Sequence, residues 1–130
     1  MTRWAIYARY SDEDKQNARS IDDQVRDCRA AVARKGGEVF AIYSDAGRSG
    51  AHTAQRPEYR RMVQAFEARE FDCIMAEDTD RLARSLKDMS GLYDIAEFVG
   101  GELWTLLDGR IDMMRAAFKG MSGQDFLRNL

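Results

Sequence analysis

Ser11 follows Arg9 by two residues in the stretch YARYS. In an extended segment that spacing sends both side chains to the same side. A serine hydroxyl beside a guanidinium is a weak nucleophile next to an anion clamp, although a serine after a strand serves equally as a turn or cap residue. Further along, Asp80, Arg81 and Arg84 fall in DRLARS. A helical stretch there would put Arg81 and Arg84, three apart, on one face. Two planar, permanently charged forks suit a phosphate whose negative charge grows in a transition state. Arginines on a helix are also ordinary solvated surface. What favours a site is their place after a strand expected to lie opposite the end that carries Ser11.

Other residues join this constellation with alternatives open. Arg56 precedes Pro57 after a polar loop, where it could close over a phosphodiester or lie on the surface. Gln24 stands one position before the apolar Val25 and reads as site support or as a solvated glutamine. Asp45 and Asp72 read as turn or cap residues. A rival chemistry comes from the carboxylates Glu77, Asp78 and Asp80, with Asp12 at a neighbouring strand end. They could gather around Mg²⁺ as in receiver-like or phosphotransfer α/β domains. That rival lacks a lysine-bearing strand end and a G-x-x-x-x-G-K-[ST] phosphate loop, and GRSG at 47–50 is too short for a nucleotide fingerprint. His52, the one histidine, lies in a polar run, which disfavours Ser/His/Asp or Cys/His chemistry. Cys28 and Cys73 show no metal or redox spacing and sit in apolar patterns, as buried free thiols do.

The elements that must position these residues alternate. RWAIYARY at 3–10 reads as a strand. Ile21, Val25, Cys28, Ala31 and Val32 then form one helical face, with Ser20 and Asp23 resembling a capping box and Gly36-Gly37 ending the helix. EVFAIYS at 38–44 is a second strand and Pro57 opens a helix over 57–70. FDCIMAE at 71–77 is a third strand, residues 78–100 carry helical periodicity, and GELWTLLDG at 101–109 is a fourth strand. Strands alternating with helices predict right-handed crossovers, hence an α/β three-layer sandwich with a mainly parallel central sheet of about four or five strands. Sites in such sheets lie beyond the carboxyl ends of the strands, which selects 7–11, 45–49 and 77–84.

Composition sets the frame. The 130 residues, 45% of them hydrophobic, suffice for one domain core, with no internal linker, repeat or like-charge block. No segment approaches a membrane span, so a cytoplasmic protein is expected. Twenty basic and 22 acidic residues give a net charge of −2, which at face value argues against nucleic acid. The placement of Arg9, Arg48, Arg56, Arg81 and Arg84 at predicted element ends or loops answers that argument.

YARYS at 7–11, DAGRSG at 45–50 with Arg56-Pro57, DRLARS at 80–85 and SIDDQ at 20–24 resemble, in order and spacing, the motifs of the serine site-specific recombinases. The resemblance spans nearly the whole chain and implies a resolvase-like fold. It implies Ser11 as the nucleophile, with Arg9, Arg81 and Arg84 binding the phosphate, Asp80 and Arg56 supporting, and Gln24, Tyr7 and Asp45 more peripheral. It further implies cleavage and rejoining of double-stranded DNA at a specific site through a 5′-phosphoserine and a free 3′-hydroxyl. Neither ATP nor a metal is implied, and homodimers are expected to assemble into a tetramer. Asp80 is a candidate proton acceptor, and equally a residue that orients Arg81 or Arg84. Glu77-Asp78-Thr79 differs from the basic or apolar residues of small resolvases and resembles the large, phage-integrase-like branch, as does AAFKGMSGQDFLRNL at 116–130. Residues 1–110 are therefore expected to form the catalytic domain and 111–130 to begin a linker towards a DNA-binding region. On that expectation, residues 1–130 alone neither read a DNA site nor recombine it.

Overall fold

The computed structural model describes residues 1–11, 19–47 and 56–112, with Ser11 and Gly47 described by their backbone. The elements in chain order are β1 (Arg3–Ser11), α1 (Ile21–Arg34), β2 (Glu38–Gly47), α2 (Pro57–Glu67), β3 (Cys73–Ala76), α3 (Thr79–Leu82), α4 (Leu86–Val99), β4 (Glu102–Thr105) and β5 (Gly109–Arg110). The sheet order is β2-β1-β3-β4-β5, with the first four strands parallel and β5 antiparallel to β4. The expected sandwich is present. The chain moves one way from β1 to β2 and the other way from β2 to β3 and β4. Right-handed crossovers therefore put α1 on one face and α2 and α4 on the other.

The two faces follow from strand alternation. Trp4 and Ile6 of β1 pack with Cys28, Ala31, Val32, Cys73 and Met75 on the α1 side. Ala5 and Tyr7 join Met62, Phe66, Phe71, Leu92 and Leu103 on the other. The register slips between Trp4, opposite Val39, and Ala5, opposite Ala41, leaving Phe40 as an extra residue in β2.

Helix signals act as the sequence predicts. Ser20 Oγ accepts from the Asp23 amide at 3.0 Å, and Asp22 and Asp23 lie in the positive first turn of α1. Gln24, Cys28, Ala31 and Val32 form its buried stripe. Gly36 leaves the helix at φ +73°, in the left-handed region that favours glycine.

Several expectations about element bounds change: α2 ends at Glu67 rather than at residue 70, and β3 covers Cys73–Ala76 rather than 71–77. The helical periodicity over 78–100 divides into α3 and α4, because Ala83 is extended (φ −143°, ψ 143°) and Ser85 caps a new helix at Asp88. The fourth strand stops at Thr105, where the Thr105 hydroxyl accepts from the Asp108 amide at 2.9 Å and turns the chain into β5. β2 runs on to Gly47, beyond the expected end at Ser44. No helix among the described residues is long and apolar enough to cross a membrane.

Candidate active site

The switch point between β1 and β3 brings three motif segments to one end of the sheet. β1 delivers Tyr7, Arg9 and the backbone of Ser11, which is in register with Gly47. β2 delivers Asp45, in register with Arg9, and β3 leads directly into Glu77 and α3. The side chain of Ser11, together with Asp12, Arg48 and His52, lies outside the described part of the chain.

Arg9 is fixed through both backbone and side chain. Gln24, fully buried, accepts from the Arg9 amide at 3.1 Å and donates to the Arg9 carbonyl at 2.9 Å. Its amide thus stands in for a neighbouring strand just before Ser11. The same Nε2 also donates to the Arg19 carbonyl at 2.9 Å, which ties the start of α1 to the end of β1. The solvated reading of Gln24 is therefore corrected: a glutamine pairing with two backbone groups is worth burying. At its far end, Arg9 Nη2 donates to the Asp80 carbonyl at 2.9 Å, joining the first motif to the third.

Tyr7, Asp45 and Arg56 form a second cluster. The Tyr7 hydroxyl donates to Asp45 at 2.7 Å, and the Asp45 carboxylate also accepts from the Glu58 and Tyr59 amides at 3.1 and 3.0 Å. Arg56 makes no side-chain cap for α2, so Asp45 of β2 caps that helix. Burial pushes the Tyr7 phenol up, opposed by the positive charge of Arg56, so the ring stays a neutral donor. Tyr59 is pushed the same way, again chiefly by burial. Arg56 is buried with its guanidinium 3.7 Å from the Tyr59 ring centre and 5.4 Å from that of Tyr7. Its Nη2 donates to the Leu82 carbonyl at 2.9 Å, while its Nη1 is buried without a hydrogen-bond partner among the described residues. Sequence reasoning missed Tyr59; its place on the first turn after Pro57 was the available signal.

The third segment differs from its helical reading. Because α3 ends at Leu82, Arg81 and Arg84 do not share a helix face: Arg81 is buried, whereas Arg84 is exposed. Arg84 instead lines, with Arg56, Tyr59 and Arg60, the cationic end of a groove of about 520 Å³ between α2 and α4. Asp80 is exposed and meets Arg9 through its carbonyl.

The acidic trio does not gather around a cation site. Asp78 caps α3 by accepting from the Arg81 amide at 2.9 Å, and Glu77 faces Arg19 at 3.2 Å and Arg81 at 3.9 Å. No group of three metal-ligating side chains occurs among the described residues. Sequence reasoning also missed Arg19, whose place immediately before the helix cap was its only signal. It carries a hydrogen bond from Nη2 to Asp27 at 2.6 Å that raises its own pKa and holds the Asp27 carboxyl below the usual range.

A family model described as the resolvase N-terminal domain matches residues 4–123. The chain belongs to the resolvase family. It is thus a serine recombinase catalytic domain, and DNA recombination is its field of activity. It is similar to the N-terminal catalytic domain of TP901-1 integrase, at 28% identity and TM-score 0.75, covering 98% of this chain and 97% of that one. That likeness is to a phage-integrase-like catalytic domain, the branch that the sequence resembles. A resolvase family site-specific recombinase from Streptococcus pneumoniae shares the fold at 20% identity and TM-score 0.77, covering 96% and 88%. The C-terminal catalytic domain of ISC1926 TnpA, an IS607-like serine recombinase, does so at 24% identity and TM-score 0.65, covering 80% and 69%. Comparison with curated protein sequences gives no match.

Proposed function

We propose that this recombinase domain cleaves and rejoins double-stranded DNA through Ser11, without a metal ion. The Ser11 hydroxyl oxygen attacks the scissile phosphorus and the bond from phosphorus to the 3′-oxygen breaks. The serine proton passes to an acceptor, and the departing 3′-oxygen takes up a proton. The product is a 5′-phosphoserine with a free 3′-hydroxyl. Rejoining is the reverse attack by a 3′-hydroxyl, and the phosphodiester bond energy is retained throughout.

The observation that carries this reading is the 2.9 Å bond from Arg9 to the Asp80 carbonyl, which brings the arginine two residues before Ser11 to the segment holding Arg81 and Arg84. Arg9, Arg81 and Arg84 bind the phosphate, and their fixed charges stabilise the pentavalent state. Arg56 approaches from the α2 side with a buried Nη1 that has no hydrogen-bond partner among the described residues and is available as a donor. Asp80, exposed beside Arg81, is the candidate proton acceptor. Tyr7, Asp45 and Gln24 hold this frame in place. In the cell the domain acts in the cytoplasm, as a homodimer that assembles into a tetramer at its site.

The test is adduct trapping. The intact protein is incubated with a randomised duplex library containing EDTA, and denaturant-resistant protein attached to 5′ DNA ends is recovered and sequenced. A 5′ adduct at one recurring sequence, absent in Ser11→Ala, is expected. Adduct from Ser11→Ala, or activity restored only by Mg²⁺, overturns the reading.

A further inference from the structure

We infer that Glu77 is a positioning residue that holds the Arg81 guanidinium for the phosphate, with Arg19 bracing Glu77 from the other side. The inference rests on the reading of Arg81 as a phosphate ligand. Glu77 follows β3 directly, its side chain is 16% exposed, and arginines from two separate segments flank its carboxylate. Oε1 accepts from Arg19 Nη1 at 3.2 Å. Arg19 in turn is held on α1 by Asp27 at 2.6 Å and by the Asp23 carbonyl at 3.4 Å. The carboxylate is therefore anchored to a helix on one face of the sheet.

Its other oxygen meets Arg81. Oε2 lies 3.9 Å from Arg81 Nε, too far for a hydrogen bond and close enough for an ion pair. Oε2 is also buried and accepts no hydrogen bond from the described residues. A buried carboxylate oxygen without a donor is unfavourable unless a nearby charge compensates it. Arg81, itself buried, is that charge, and each ion keeps the other from turning towards water. A carboxylate at the Nε corner restrains the plane of the guanidinium, and for a planar fork the plane sets the direction of its donors. Glu77 is thus drawn away from the metal-ligand role its type suggested and into orienting a cation.

Glu77→Gln keeps the shape and removes the charge. It is expected to slow cleavage about tenfold at saturating DNA, on the duplex recovered by adduct trapping. DNA affinity should be unchanged or tighter, since a negative charge beside the phosphate is gone. A DNA-free measurement accompanies it. The ¹⁵N relaxation of Arg81 Nε should report an ordered side chain in the native protein and a mobile one in Glu77→Gln. Arg56 Nε, held by Tyr59 and the Leu82 carbonyl, should remain ordered in both.

A native cleavage rate in Glu77→Gln overturns the proposal, and so does a faster one or an Arg81 Nε as ordered as before. If Glu77→Gln does not fold, Arg19→Gln loosens Glu77 from the exposed side and is judged by the same two readouts. Arg81→Ala separates the layers. Adduct formation at the native rate in that variant sinks the phosphate role of Arg81, while the relaxation data still decide whether Glu77 holds it.

Discussion

At the amino end of the sheet, Trp4, Phe66 and Phe71 fill the interior, with Phe66 and Phe71 stacked at 5.3 Å. There the charged residues Arg3 and Asp72 pair in the open. A Cβ on Gly101 would lie 2.5 Å from the Asp72 carbonyl and 2.7 Å from the Phe66 ring, so this end closes by tight apolar packing. At the carboxyl end the buried polar residues among those described, Gln24, Asp45, Arg56, Arg81 and Thr105, replace that packing. Each sits at or just beyond a strand end, or at the start of the helix that follows one. Buried polar groups contribute little net stability and fix geometry sharply. One end therefore holds the fold together, and the other uses that stability to keep Arg56 and Arg81 buried beyond the strand ends.

The largest effect should come from the amino end. Phe66→Ala removes a fully buried ring and should cost about 3–5 kcal/mol in urea unfolding. The rate of adduct formation per folded molecule should stay native; a parallel loss of rate would dissolve the distinction between the two ends. Gln24→Ala strands the Arg9 amide and carbonyl and should cost less, about 1–3 kcal/mol. It should nevertheless lower cleavage by at least tenfold, because Arg9 and the end of β1 lose their partner. Native cleavage in Gln24→Ala would show that the polar cluster is scaffolding alone.

Thiol titration sharpens the comparison in the α1-side interior. Burial pushes the Cys28 and Cys73 thiols up to about 12, with the nearby carboxylates of Glu77 and Glu102 adding to it. The folded state keeps these protons where the unfolded chain loses them. Their contribution to stability is complete below about pH 8.5, the ordinary thiol value, and is lost as pH rises towards 12. Denaturation midpoints should fall over that window, and a disulfide reagent at pH 8 should label neither thiol until denaturant is added. Prompt labelling of the native protein counts against a closed interior. The smallest effect belongs to the surface: Arg26→Ala breaks exposed pairs with Asp23 and Asp27 and should shift stability by no more than about 0.5 kcal/mol.

The alternation of elements, the Ser20 cap, the start of α2 at Pro57 and the pairing of strand ends with motif residues were legible in the amino acids. These depend on local chemistry, on side-chain period and on the handedness of crossovers. The break at Ala83 was harder, because residues 78–100 satisfy helical periodicity throughout; only Asp78 and Ser85, each with an amide three residues on to cap, signal two helices instead of one. Glu77 was legible as a carboxylate near the site and not as the partner of Arg19 and Arg81, since those lie 58 residues before it and four after it.

Residue order and side-chain period set the layers, the sheet and which strand ends carry Arg9, Ser11 and Asp45, with Arg81 in the segment after β3. Tertiary structure alone decided what those residues touch. Gln24 became a backbone partner of Arg9, Asp45 the cap of a helix thirteen residues on, and Glu77 the counterion of Arg81. The physical reason is range. Periodicity and capping act within a few residues, whereas a buried polar atom takes whichever partner the packed elements bring within about 3 Å.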